Sequence, residues 1–261
     1  MNLHIVPAAA GIRWFKQGIS VFFRQPLALS GLLLIVVGLI SLVAVVPWLG
    51  SLLSLALLPA ATVAMMEATR LAQAGQFPMP TLIITSFRAG PQKARAMVVL
   101  GLLYALGFGL IMGLTALFDG GGFARLYLFG GSLSPETMGA PGFQNAAFFA
   151  LVLYVPLSML FWHAPALVHW HGLPVGKSLF FSLVACLKNF WAYALYALAW
   201  AAMMMFAAAL VVLTALLLGN AQVAQTAMVP ASLLLMAMLF TSVYFTYQGC
   251  FDTGADNAPA Q

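Results

Sequence analysis

Three histidines in the middle of the chain carry the clearest potential for metal chemistry. His163, His169 and His171 lie within nine residues, and no carboxylate or thiol stands close to them in sequence. A His-x-His pair can bind a transition metal from an extended backbone, and His163 could add a third imidazole from a preceding helix. In a continuing helix, however, His169 and His171 point to different faces. We therefore predict no metal and no cofactor, with these histidines as the candidate ligands of the alternative, a metal-handling protein.

Glu67 is an acidic residue within a long apolar stretch, the second pattern with chemical potential. A charge inside a bilayer is costly and is often functional. Arg70 follows three residues later, so the two side chains can form a local ion pair on one helix face. We expect this pair. The alternative is an intramembrane polar site of Glu67, Arg70 and His163 that moves protons or substrate.

The rest of the sequence holds no pattern typical of an active site. There is no HExxH motif, and Gly176-Lys177-Ser178 lacks the earlier glycine of a P-loop. The methionines at 203–205 point in different directions around a helix, which suits packing better than copper binding. We predict that the protein is not an enzyme.

The composition indicates whether these residues lie in a soluble or a membrane protein. Hydrophobic residues make up 64% of the chain and charged residues only 6%, whereas about a quarter of a soluble domain is charged. The net charge of +5 comes from cations scattered along the chain rather than from one patch. We therefore predict a membrane protein and exclude nucleic acid as a partner.

Six apolar stretches are long enough to cross a bilayer, which predicts an all-α membrane protein with six transmembrane helices. They cover about 27–46, 51–70, 96–117, 146–168, 190–218 and 228–248. Residues 1–250 form a single integral membrane domain, and 251–261 are predicted to be a disordered cytoplasmic tail. The glycine-rich segment 119–145 is expected to be one long loop on the polar side, and the sequence leaves open whether it contains a short helix.

Amphipathic patterns precede the first, third and fifth stretches, at 11–25, about 81–88 and 177–189. They predict helices that lie in the membrane interface. In the third, small and polar residues (Lys177, Ser178, Ser182, Ala185, Lys188, Asn189) alternate with an opposite apolar side (Leu179, Phe180, Leu183, Val184, Leu187). We predict that the cations of these helices contact anionic lipid headgroups, namely Arg13, Lys16, Arg24, Arg88, Lys177 and Lys188.

The basic residues also predict the orientation. With the N-terminus inside, nine of the ten cations fall on cytoplasmic segments and only Arg125 lies outside. Both termini are then cytoplasmic. An interfacial helix followed by a transmembrane hairpin recurs in three parallel units, about 11–70, 80–168 and 174–248.

Three segments carry a resemblance to a known kind of protein. They are FWHAPALVHWHGLPVGKSLFFSLVACLKNFW (161–191), PTLIITSFRAG (80–90) and LPAATVAMMEATRLAQAG (58–75). Together they resemble an uncharacterised family of bacterial six-span inner-membrane proteins, which is distantly similar to YciC-like and glycerophosphodiesterase-type membrane domains. The resemblance implies the fold and an inner-membrane location, and it implies no activity. His163 and His169 depart from the expected pattern, so it implies no histidine site.

The function predicted from these observations is a non-enzymatic membrane module that binds anionic lipid or a protein partner in envelope or transporter assembly. The first alternative is a small transporter or channel, which needs a polar path through the membrane. The apolar stretches offer few polar side chains to line such a path, which favours the binding module.

Overall fold

The computed structural model describes residues 2–46, 49–130 and 134–251, and the regular secondary structure of this part of the chain is helical, with one isolated β-bridge besides. The first helices are α1 (Ala10–Phe22), α2 (Pro26–Ala44), α3 (Gly50–Gln73), α4 (Thr85–Arg88), α5 (Pro91–Asp119) and α6 (Gly122–Phe129). They are followed by α7 (Pro135–Gly139), α8 (Pro141–Phe161), α9 (Ala164–His171), α10 (Val175–Lys188), α11 (Phe190–Leu217) and α12 (Ala221–Cys250). A short 3-10 turn, Pro80–Ile84, precedes α4.

Six helical segments in the described residues are long and apolar enough to cross a membrane. They are α2, α3, α5, the pair α8–α9, α11 and α12, which confirms the six predicted stretches. Proline stands at the first position of α2, α5 and α8, where its fixed φ suits a helix start and its missing N–H costs nothing. Helix α8 consequently begins at Pro141, ahead of the predicted start at 146.

The fourth stretch differs from the expected single helix because it is broken at Trp162 and His163, between α8 and α9. Pro165 follows the break and has no N–H to donate to the carbonyl one turn earlier, at Phe161. The glycine-rich segment 119–145, in which the sequence left a short helix open, contains the short helices α6 and α7. Asp119 accepts hydrogen bonds from the backbone N–H groups of Gly121 and Phe123 at the start of α6.

The chain does not leave the fold where the sequence placed the start of the disordered tail. Phe251 is buried and forms the isolated antiparallel bridge with Leu3. The predicted tail can therefore begin no earlier than Asp252, and residues 252–261 lie outside the described part of the chain.

The helices group into two compact units. The first contains the described residues of 1–37, 62–85 and 184–261, and in it α1 packs against both α11 and α12, which also contact each other. The second contains 38–61 and 86–183, and in it α5 packs against α6, α8 and α9. Its buried cluster includes Ile111, Met112, Phe123, Ala146 and Ala150.

Candidate functional site

The polar stripe of α1 is exposed along its whole length, as its spacing predicts. Arg13, Lys16, Gln17 and Ser20 recur at intervals of three and four residues and are exposed, as is Arg24 two residues beyond the end of the helix. Arg13 and Lys16 make no ion pair with any described residue. The stripe is therefore a cationic face that is open to an external partner.

Two glycines on the opposite side of α1 allow neighbouring helices to pack closely against it. These glycines were not identified from the sequence pattern. A Cβ on Gly11 would overlap the carbonyl oxygen of Ala192 in α11, and one on Gly18 would overlap the backbone of Ser242 in α12. Between these glycines, Trp14 is buried with its indole against Gly249. Only residues without a side chain allow helices to approach this closely, and this contact sets which way Arg13 and Lys16 point.

The side chain of Arg24 is hydrogen-bonded to the C-terminal end of helix α3. Its Nη1 donates a hydrogen bond to the carbonyl oxygen of Gln73, 3.3 Å away, and Gln25 Nε2 donates to the carbonyl oxygen of Gln76, 3.1 Å away. The last carbonyls of a helix lack intrahelical donors, so a cation there satisfies them and complements the helix dipole. Arg24 thus has a structural role in addition to its predicted lipid contact.

Helix α10 differs from its prediction, because the small and polar residues of its stripe do not share one environment. Ser178, Ser182 and Ala185 are completely buried, and Asn189 is nearly so. Lys177 and Lys188 remain exposed. On the apolar side, Phe180 is 60% and Leu187 55% exposed, while the other members are partly buried. The expected polar face was therefore wrong for the three small residues and Asn189, since helices in lipid pack through small and polar side chains.

The hydroxyl of Ser182 forms two hydrogen bonds on the buried side of α10. Its hydroxyl donates to the carbonyl oxygen of Met159 at 2.7 Å and accepts from the backbone N–H of His163 at 2.9 Å. In an unbroken helix these two backbone groups would bond each other, because they are four residues apart. The serine hydroxyl is inserted between them, which is a recognised cause of helix kinks. We call this arrangement the Ser182 bridge.

Asn189 connects the end of α10 to the N-terminal segment. Its Oδ1 accepts from the backbone N–H of Val6 at 2.8 Å, and its Nδ2 donates to the carbonyl oxygen of His4 at 3.0 Å. His4 N–H in turn donates to the carbonyl oxygen of Cys250 at 2.9 Å. These bonds hold the residues before α1 against the ends of α10 and α12, and so they position Lys188 next to the same segment.

A line of polar side chains, which we call the polar seam, lies between α11 and α12 and was not predicted. Its members on the α11 side are Asn189, Tyr193, Tyr196 and Trp200, and on the α12 side Ser242, Thr246 and Cys250. Ser242 donates to the carbonyl oxygen of Leu239 and accepts from the Tyr196 hydroxyl at 2.5 Å and from Trp200 Nε1 at 3.1 Å. Spacings of four, three and four residues place the α11 members on one helix face, a signal that the sequence did contain.

Cys186 lies on the buried side of α10, and its thiol bonds the Tyr193 hydroxyl. Burial, and secondarily the neighbouring Cys250, raise the pKa of the Cys186 thiol to about 12. Since the thiolate is the reactive form, this cysteine is protected at neutral pH.

The three histidines lie around the break between α8 and α9. His163 is completely buried at the break, while His169 and His171 are in the last turn of α9. The His-x-His pair is therefore helical rather than extended, and Lys93 Nζ donates to the carbonyl oxygen of His169 at 2.8 Å. Within the described residues, no group of three or more His, Cys, Asp or Glu side chains is placed to hold a metal ion.

Two acidic side chains of the described residues, Glu67 and Asp119, have local hydrogen-bonding partners. Glu67 and Arg70 form the expected ion pair, with Arg70 Nε donating to Oε2 at 3.0 Å and Nη2 to Oε1 at 2.5 Å. Asp119 accepts from the start of α6, and Glu136 lies in the first turn of α7, where the helix dipole favours an anion. His163 belongs to the second unit, whereas Glu67 and Arg70 belong to the first.

Comparison with known proteins identified a similar chain. A protein named as a probable inner membrane protein, from Burkholderia thailandensis, is 40% identical over 268 aligned positions, which cover 99% of this chain and 97% of the relative. No model of a known protein family matches the chain, and no solved structure matches it significantly.

Proposed function

The chain belongs to the same family as the Burkholderia thailandensis probable inner membrane protein, and from this premise we propose a non-enzymatic module of the bacterial inner membrane that binds anionic lipid headgroups. Each unit offers exposed cations of its own for this binding, Arg13, Lys16 and Lys188 in the first unit and Lys177 in the second. The resemblance to YciC-like and glycerophosphodiesterase-type membrane domains is part of this proposal, as is the three-unit repeat.

One observation carries the proposal: Arg13, Lys16, Lys177 and Lys188 are exposed and make no ion pair within the described residues. Among the acids of the described residues, Glu67 is paired with Arg70 and Asp119 accepts hydrogen bonds from the start of α6. An exposed cation next to an anionic membrane surface contributes about 1 kcal/mol to binding. Within each unit, exposed cations on helices that are packed on their other side favour contact with phosphate-bearing headgroups.

Helix α4 adds Arg88 to the set. Arg88 is exposed in the last turn of this helix, and no described residue pairs with it. Lys93 differs, because its ammonium group donates to the end of α9. We therefore assign headgroup contacts to Arg88 and give Lys93 a structural role.

The proposal requires both termini and the cations of α1 and α10 to be cytoplasmic. In intact cells, a cysteine at Ser134, which is exposed before α7, should react with a membrane-impermeant maleimide. A cysteine at Lys177 should react only after the membrane is opened. The reverse pattern would overturn the orientation and the leaflet assigned to the lipid.

The direct test measures which lipids stay with the purified protein. We expect native mass spectrometry from mixed phosphatidylglycerol and phosphatidylcholine bilayers to show selective retention of phosphatidylglycerol. Arg13→Gln with Lys16→Gln should reduce that selectivity by about fivefold per removed charge. Raising the salt concentration should reduce it too, because exposed charges are screened.

The matched control replaces uncharged members of the same stripe, Gln17→Ala with Ser20→Ala, and should leave the selectivity unchanged. An equal loss in both double variants would show that the charges are not the cause. If a protein copurifies in stoichiometric amount and no lipid is retained selectively, the ligand of these cations is a protein partner and not a lipid.

A further inference from the structure

The helix pair α11 and α12 has two different halves. The half that starts at Asn189 and ends at Cys250 contains the polar seam, which extends over roughly 16 Å from Asn189 to Trp200 at the rise of an α-helix. Beyond Trp200 and Ser242, the two helices leave a groove with a volume of about 440 Å³. Volumes of this size are typical of pockets that bind small ligands.

The groove is lined almost entirely by apolar atoms. Its main contacts are Met204, Ala208 and Val211 of α11 and Ala231, Leu235 and Met236 of α12. Ser232 also borders it, but its hydroxyl donates to the carbonyl oxygen of Val229 at 2.8 Å. A polar ligand would therefore gain no donor here, whereas a hydrocarbon chain requires none.

We propose that this groove binds one acyl chain of a membrane lipid. Both walls belong to helices that are long and apolar enough to cross the membrane, so acyl chains surround the opening. Methionine side chains are flexible and polarisable, which allows Met204, Met228 and Met236 to adapt to a chain of variable conformation. This assigns a role to methionines that neither metal binding nor the headgroup surface explains.

The lining argues for a hydrocarbon chain as the occupant. Met204, Val211 and Leu235 offer only apolar contacts, and lipid acyl chains are the apolar groups present in excess around helices that cross the membrane. A second copy of this chain is the competing occupant, and the following test distinguishes the two.

The test uses phosphatidylcholine with a photoreactive diazirine on one acyl chain, reconstituted with the unmodified protein. We expect labelling of the peptides that contain Met204 and Met236 to saturate as the probe fraction rises. Labelling on the outward side, at Phe206 and Leu213, should rise in proportion to the probe. Proportional labelling of both sides would overturn the proposal, because it would indicate bulk lipid only.

Two neighbouring variants provide the matched control. Ala208→Phe fills the groove and should abolish the saturable labelling, while Ala209→Phe adds the same ring outside it and should retain that labelling. Light-induced dimers in place of lipid adducts would identify a second copy as the occupant. The neutral probe also separates the two proposals, since Arg13→Gln with Lys16→Gln should leave its labelling unchanged.

Discussion

Helices α1 and α10 have similar amphipathic sequences, but their polar stripes differ in how much of each is exposed. The polar stripe of α1 is exposed along its length, and the buried side includes Gly11, Trp14 and Gly18. The stripe of α10 is divided, with Lys177 and Lys188 exposed and Ser182 buried. The difference teaches that the charged residues of such a helix report its outer face, whereas a serine can lie on either side, since Ser20 is exposed and Ser182 is buried.

The two helices are also held by different interactions. Helix α1 is held by direct backbone approach, because Gly11 and Gly18 leave no space for a side chain. Helix α10 is held by hydrogen bonds to backbone groups, from Ser182 to the break after α8 and from Asn189 to the N-terminal segment. Steric contacts are expected to be less tolerant of change than hydrogen bonds, and the following predictions test that ranking.

The largest effect is expected at the glycine contact. Gly11→Ala places a Cβ against the Ala192 carbonyl oxygen and the Tyr196 nitrogen, which are backbone atoms that cannot rotate away. Overpacking of this kind costs about 1–3 kcal/mol, and a clash with backbone should reach the upper end. The unfolding temperature in detergent should fall clearly. Gly31→Ala is the control, since no atom lies within 4 Å of the added Cβ. An unchanged unfolding temperature in the Gly11→Ala protein would contradict the close contact.

The Ser182 bridge should give the next largest effect. Ser182→Ala removes the partner of a buried N–H at His163 and of the Met159 carbonyl, at a cost of about 1–2 kcal/mol. Ser178→Ala is the matched control on the same helix, because that hydroxyl bonds only the Val175 carbonyl of its own turn. Unfolding temperatures should rank the two variants in that order. Equal values would mean that the bridge contributes nothing beyond burial.

A smaller and more local effect is expected at the end of α10. Asn189→Ala removes the hydrogen bonds to Val6 and His4, worth about 1 kcal/mol. The amide of Val6 should then exchange with deuterium roughly fivefold faster, since local opening becomes easier. Lys188→Ala changes the exposed neighbour and should leave this amide unaffected. Slow exchange in both variants would show that other contacts hold the N-terminal segment.

The smallest effect is expected at Cys186, which lies on the buried side of α10 and whose thiol can be modified chemically. Because the pKa of the Cys186 thiol is raised to about 12, almost no thiolate is present between pH 7 and pH 9. Maleimide modification of Cys186 should therefore be slow throughout this range, while a Leu187→Cys thiol on the exposed side reacts readily. Rapid modification of Cys186 at pH 7 would contradict the inward orientation of this face.

Much of the fold could be predicted from the sequence because lipid imposes simple requirements. Runs of about 20 apolar residues identified the six spanning segments. Cations at Arg13, Lys16 and Lys188 indicated the exposed faces, since burying an unpaired charge is costly. The Glu67–Arg70 pair followed from spacing alone.

Only the tertiary structure decided which partners the small and polar residues meet. Nothing local to Ser182 indicates that its hydroxyl inserts between Met159 and His163, and nothing local to Gly18 indicates that Ser242 lies against it. A small side chain is compatible with lipid, water or a neighbouring helix, so its environment depends on residues far away in sequence. The apolar groove between α11 and α12 has the same origin, because its volume depends on how two helices pack rather than on either sequence alone.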